Sequence, residues 1–156
     1  MCFEMLFADE GYGPFPRQTI CQTIGMTMYD AMAQLTGETN PHRINELIHL
    51  YKVRYSDKYM VANTHLYPQT RPMLTRLKEK GARTCIVSTK TRSRIQQTID
   101  KEHLNALIDC VIGIEDVREA KPSPQGIQTI QSRFQLPAEK IIYIGDSLID
   151  AQTAAN

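Results

Sequence analysis

The chain has 156 residues, 42% hydrophobic and 22% charged, with 18 basic against 17 acidic side chains. That is ordinary globular composition with enough apolar material for a sizeable core, which argues against disorder throughout. A formal net charge of +1 gives no sign of a nucleic-acid binder, and no run approaches the ~20 apolar residues a membrane-spanning helix needs.

The first 65 residues read as helical. Thr27 is a candidate N-cap for a helix over 28–35, with Met28, Ala31, Met32 and Leu35 on one face and Gly37 as its stop. Asn40-Pro41 reads as a cap followed by proline at the first helical position. Ile44, Leu47, Ile48, Tyr51, Tyr55 and Tyr59 then continue one stripe, which predicts a single long amphipathic helix.

His65-Leu66-Tyr67-Pro68 marks a hinge, and the pattern changes after it. A helix is expected over 70–80 with Met73, Leu74 and Leu77 inside. A buried strand follows at 84–87, then a helix over 91–101. A second strand is expected at 110–113 and a helix opening at Ser123-Pro124 and carrying Ile127, Ile130 and Phe134. Ile141-Ile142-Tyr143-Ile144 reads as a third strand, with another helix from Ser147 onward. Short apolar strands alternating with amphipathic helices predict a parallel α/β sheet. The expected division is a helical module over 1–65 and an α/β module over 66–156.

Charge is uneven. Residues 1–40 carry one basic and five acidic side chains, residues 41–103 thirteen and five, and residues 104–156 four and seven. The basic middle block has no aromatic stacking platform, so solvated helix faces are the better account of it than a nucleic-acid surface. Met1-Cys2-Phe3-Glu4 lacks the basic-then-apolar order of a signal peptide. Cys2, Cys21, Cys85 and Cys110 lie far apart without metal-ligand spacing, which fits reduced thiols in a cytoplasmic protein. The four histidines show no ligand spacing either.

Functional groups of an open parallel sheet collect where strands end and helices begin. Three such places stand out. In Val87-Ser88-Thr89-Lys90 a hydroxyl and the backbone N–H groups turning into a helix suit a phosphate oxygen; the competing reading is a simple helix cap. In Ala120-Lys121-Pro122-Ser123-Pro124 a stiff loop can fix an ammonium beside a phosphate or a carboxylate, where the bland alternative is an exposed lysine. In Gly145-Asp146-Ser147-Leu148-Ile149-Asp150 two carboxylates lie one helical turn apart. Hard oxygens at that spacing suit Mg²⁺, and helix capping is the alternative.

These three stretches, in this order, resemble the second, third and fourth motifs of the haloacid dehalogenase-like (HAD) hydrolases, in particular the phosphoglycolate-phosphatase-like branch with a helical cap. The resemblance runs over nearly the whole chain. It implies an α/β, Rossmann-like parallel sheet core and an all-helical cap made by residues 1–65. It implies Ser88, Thr89 and Lys121 as phosphate-binding residues, with Ser88 and Lys121 also catalytic. It implies Asp146 and Asp150 as Mg²⁺ ligands, with Gly25 and Thr27, in Ile24-Gly25-Met26-Thr27, as cap residues facing substrate. The implied reaction is hydrolysis of a small phosphorylated metabolite through an aspartyl-phosphate.

One departure matters. The family's first motif is a strand ending in Asp-x-Asp, which supplies the nucleophile and the general acid/base, and it precedes the cap. No Asp-x-Asp occurs anywhere in this sequence. The expectation is therefore a fragment or truncated gene product, lacking the nucleophile and the central first strand of the sheet. The competing expectations are an inactive remnant that binds phosphate, metal or a partner, and a sugar-phosphate mutase of the same family. Substrate identity and oligomeric state leave no readable mark in the residues.

Overall fold

The computed structural model describes residues 2–156. The chain forms two compact units, Met1–Thr64 and His65–Asn156.

The first unit is helical. Helix α1 (Cys2–Asp9) and α2 (Arg17–Cys21) are followed by α3 (Met28–Thr36), α4 (Pro41–Leu50) and α5 (Asp57–Asn63). Thr27 caps α3 by accepting from Asp30 N, and Gly37 closes it. Asn40 caps α4 through His42 N, with Pro41 at the start. The core is built from Leu6, Phe7, Met32, Leu35, Ile44, Leu47, Tyr51 and Tyr55.

The expected long helix is interrupted. Residues Tyr51–Ser56 form a π-helical turn between α4 and α5. Leu47, Tyr51, Tyr55 and Tyr59 are spaced four apart, so their stripe drifts by roughly 40° a step around an ordinary helix. A wider i→i+5 turn rotates the stripe back. Tyr51 and Tyr55 thereby stay buried and Tyr59 still packs against the same cluster. Around this core the Glu10 carboxylate holds both Arg43, at 3.1 Å, and Arg54, at 3.2 Å.

The second unit carries α6 (Thr70–Glu79), β1 (Cys85–Val87), α7 (Arg92–Lys101), β2 (Cys110–Ile112), α8 (Gln125–Phe134) and α9 (Leu148–Ala155). Strands β1 and β2 pair in parallel, with Cys85 opposite Cys110 and Val87 opposite Ile112. Side chains alternate across the pair as strand geometry requires. Ile86 and Val111 face the cluster of Leu74, Ile95, Ile99 and Leu104 from α6, α7 and the loop after it. Cys85, Val87, Cys110 and Ile112 face Ile130 and Phe134 of α8. Burial pushes the Cys85 thiol up to about 11, which suits an inert packing role.

Two sequence expectations fail in this unit. Met73 is 46% exposed rather than inside; Leu74 is the buried residue of that turn. The third strand is not formed. Residues 141–144 run extended but have no ladder partner among the described residues, and Ile142 and Ile144 are 87% and 78% exposed. The segment has the apolar character of a buried strand, but strand structure needs a neighbour to take its backbone groups. No helix among the described residues is long and apolar enough to cross a membrane.

The end of the sheet where the strands begin is tied by Asp109. Its carboxylate accepts from Thr84 N at 2.7 Å, from Lys78 Nζ at 2.6 Å and from Arg83 at 3.2 Å. Burial alone would raise its pKa, but the Lys78 ammonium, the Thr84 N–H and the Arg83 guanidinium outweigh it. They hold the group at about 2 against an ordinary 3.8. A depressed carboxylate stabilises the fold above its unfolded value and loses that contribution as pH falls through its folded one. Asp109→Asn is therefore expected to destabilise the chain at pH 5, with its gap to the wild type closing as pH drops from about 3.8 to about 2. Urea midpoints across that range check this.

Candidate active site

The opposite end of the sheet, where both strands stop, holds three of the residues singled out from the sequence: Ser88, Thr89 and Lys121. Ser88 N donates to Ile112 O at 3.0 Å, and the chain then leaves the sheet. The Ser88 hydroxyl accepts from Lys90 N at 3.2 Å. This loop is pinned by the turn that follows β2. Ile114 N donates to Lys90 O at 3.0 Å, Arg92 N donates to Glu115 Oε1 at 2.8 Å, and the Arg92 guanidinium pairs with Asp116. Gly113 permits this approach: a Cβ there would lie 2.6 Å from Arg92 N and 3.0 Å from Lys90 O.

At the helix start after Ser88, the Glu115 carboxylate takes the Arg92 N–H, the first backbone donor of α7. Ser88 and Thr89 line the cavity described below. Glu115 has no role in the sequence reading. Its only signal is an acidic pair directly after a strand-ending glycine.

Lys121 sits on a loop held from below by Gln125, whose Oε1 accepts from Arg118 N and from Glu119 N. The Lys121 side chain is 11% exposed, and its Nζ donates to Asp150 Oδ1 at 2.6 Å. The same oxygen accepts from Tyr143 OH at 2.9 Å. The second oxygen, Oδ2, accepts from Ser147 Oγ at 2.6 Å and Ser147 N at 3.2 Å. Asp150 N returns a bond to Ser147 Oγ at 3.1 Å, which closes a capping box at the start of α9. Burial pushes the Asp150 carboxyl up, but the Lys121, Ser147 and Tyr143 donors hold it far below the usual carboxylate range. Burial and the adjacent Asp150 charge push the Tyr143 phenol up.

Ser88, Thr89 and Lys121 line one small cavity with Val87, Ile112 and Gly113. So the serine at the end of β1 and the lysine of the later loop line the same cavity. Asp146 stands apart from that lining. It is exposed and makes no hydrogen bond or ion pair among the described residues. Its carboxylate fits a hard cation. Asp150 does not fit as a second ligand here, because both of its oxygens already carry donors, one of them an ammonium. Among the described residues no group of three or more His, Cys, Asp or Glu side chains converges to hold a metal. Gly25 and Thr27 lie in the first unit; Thr27 acts as a cap, its Oγ1 donating to Asp30 Oδ2 at 2.6 Å.

Gly145 makes the Asp150 network possible by its lack of a side chain. A Cβ at that position would lie 2.3 Å from Asp150 Cβ and 2.7 Å from Oδ2. Gly145→Ala must therefore shift either the 141–147 segment or α9. The expected cost is about 1–3 kcal/mol, as for other overpacked sites. Urea denaturation measures it.

The model of the family described as haloacid dehalogenase-like hydrolase matches residues 1–156. A solved putative haloacid dehalogenase-like hydrolase from Bacteroides fragilis is 38% identical with a TM-score of 0.93, covering 99% of this chain and 73% of that one. The pyrophosphatase PpaX of Bacillus velezensis is 26% identical over 144 residues, which is 92% of this chain and 64% of the relative. The phosphoglycolate phosphatase of Nitrosospira multiformis is 26% identical over 155 residues, 96% of this chain and 68% of the relative. The chain thus spans about two-thirds of the length of these two curated relatives. With a matching family model along its entire length, and with Ser88, Lys121 and Asp150 placed as described, the chain belongs to the haloacid dehalogenase-like hydrolases.

Proposed function

We propose that this chain carries the phosphate-gripping part of a Mg²⁺-dependent phosphatase acting on a small phosphorylated metabolite. The observation that supports it most is the shared cavity of Ser88, Thr89 and Lys121 at the strand ends. A hydroxyl and a largely buried ammonium are donors that match phosphoryl oxygens, and a cation fixed in a site of low solvent exposure acts more strongly than one in water. Lys121 is held in place by Asp150 rather than left to search for its ligand, which removes reorganisation from binding.

Asp146 is the residue of this chain that would hold Mg²⁺. Such an ion supplies positive charge against the clustered anionic oxygens of substrate and carboxylates. In this reading Ser88 and Lys121 bind and orient the transferring group. The carboxylate that accepts it belongs to an Asp-x-Asp element, which residues 1–156 do not include. The first unit would act as a cap that selects substrate, with Gly25 and Thr27 on the selecting segment. The relatives named pyrophosphatase and phosphoglycolate phosphatase support a phosphate-ester or anhydride substrate class.

A second reading is favoured by one observation, the lack of Asp-x-Asp in the sequence. It holds that the chain binds phosphate or metal without turnover. Two measurements separate the readings. Inorganic phosphate is expected to bind the purified chain, and Lys121→Ala is expected to weaken that binding at least about tenfold by calorimetry. A wild-type chain that takes up no phosphate would overturn both readings. Turnover of p-nitrophenyl phosphate with Mg²⁺ once an Asp-x-Asp strand is joined ahead of the chain, lost in Asp146→Ala, would remove the second reading; binding without turnover in that folded fusion would support it.

A further inference from the structure

We propose that Tyr143 is a positioning residue for Lys121, acting through Asp150. The inference rests on the reading of Lys121 as the phosphate-binding cation and adds a residue that none of the three motifs contains.

The geometry is a closed triangle. Asp150 Oδ1 accepts from Lys121 Nζ at 2.6 Å and from Tyr143 OH at 2.9 Å, and the phenol oxygen lies 3.5 Å from Nζ. Ser147 holds the other carboxylate oxygen through its hydroxyl and its N–H. With donors on both oxygens the carboxylate cannot rotate about its own axis, so the oxygen that meets Lys121 stays where it is. The three N–H groups of the ammonium are then divided in a fixed way. One is spent on Asp150, one side is covered by the phenol, and the remainder can address an anion.

The extended segment around Tyr143 supports the assignment. Ile142 and Ile144 are exposed on one side, whereas Tyr143 turns the other way, into the Lys121–Asp150 pair. Its ring packs in a half-buried place that phenylalanine would fill equally well. What phenylalanine cannot supply is the O–H. A buried phenol normally finds such a partner, and here the partner is the carboxylate that anchors the site lysine. Packing alone therefore does not account for tyrosine at this position.

The test uses the full 156-residue chain as wild type, Tyr143→Phe, Lys121→Ala and the double variant. The first readout is the rate at which each lysine is acetylated by acetic anhydride at fixed pH, mapped by mass spectrometry. Lys121 is expected to react several-fold more slowly than the exposed Lys140 in the wild type, and to lose most of that protection in Tyr143→Phe. The second readout is calorimetric binding of inorganic phosphate. Tyr143→Phe is expected to weaken it about tenfold, with an unchanged melting temperature, and to weaken it no further once Lys121 is alanine. Unchanged Lys121 labelling in Tyr143→Phe would overturn the proposal, as would an equal loss of phosphate affinity with and without Lys121. A wild-type Lys121 that labels as fast as Lys140 overturns it even if the phenylalanine variant does not fold. A wild-type chain that binds no phosphate would sink the functional reading instead, and the labelling arm would still decide the role of Tyr143.

Discussion

The ion pair between Lys121 and Asp150 is the constraint on which the later half of the second unit depends. With the Tyr143 and Ser147 bonds to the same carboxylate, it joins three pieces that have no common sheet: the proline-flanked loop at 120–124, the extended segment at 141–147 and α9. Both side chains are about nine-tenths buried. Charges in such surroundings are costly to leave alone, and removing one partner of a buried pair typically costs about 3–5 kcal/mol. The pair is therefore less a gain in stability than a lock. Once the loop and α9 are in place, neither can move without stranding a charge.

The two ends of the small sheet repeat one device. At the end where the strands begin, Asp109 just before β2 takes the backbone N–H of Thr84 just before β1. At the end where they stop, Glu115 just after β2 takes the backbone N–H of Arg92, beyond β1. Each carboxylate satisfies a main-chain donor that would otherwise lack a partner, one just ahead of β1 and one at the start of α7. Each also sits in a polar cluster with a guanidinium, Arg83 at one end and Arg92 at the other. The loops that carry Ser88 and Lys121 are thus mounted on a short frame stiffened at both ends, which is how three residues per strand suffice.

Local rules carried a good part of this architecture. Thr27 and Asn40 cap the helices they were expected to cap, because a side-chain oxygen beside a helix start needs no tertiary information. The parallel β1–β2 pair follows from short apolar runs separated by an amphipathic helix. Ser88 and Lys121, 33 residues apart, each carried a weak signal at a strand end or loop and became specific only as a set, through the resemblance. What escaped the sequence depends on long-range geometry. Met73 and Leu74 are adjacent and equally apolar, and only the packing of α6 decides which is buried. Tyr143 looks like one more apolar strand residue until its O–H is seen on Asp150. Asp150 itself, one turn beyond Asp146, reads as a paired carboxylate; its actual partner arrives from 29 residues earlier.

The bare stretch at 141–144 has a consequence for how the protein behaves in concentrated solution. An extended run with no ladder partner among the described residues and with outward isoleucines is a template onto which another chain's strand can zip. Glu139 and Lys140 stand immediately before it and Asp146 just after it, all exposed. Such flanking charges act as gatekeepers, repelling a second copy that approaches in register. Colloidal behaviour of this unit therefore turns on those three side chains, and high salt, which screens them, would remove the safeguard while leaving the sticky ribbon in place.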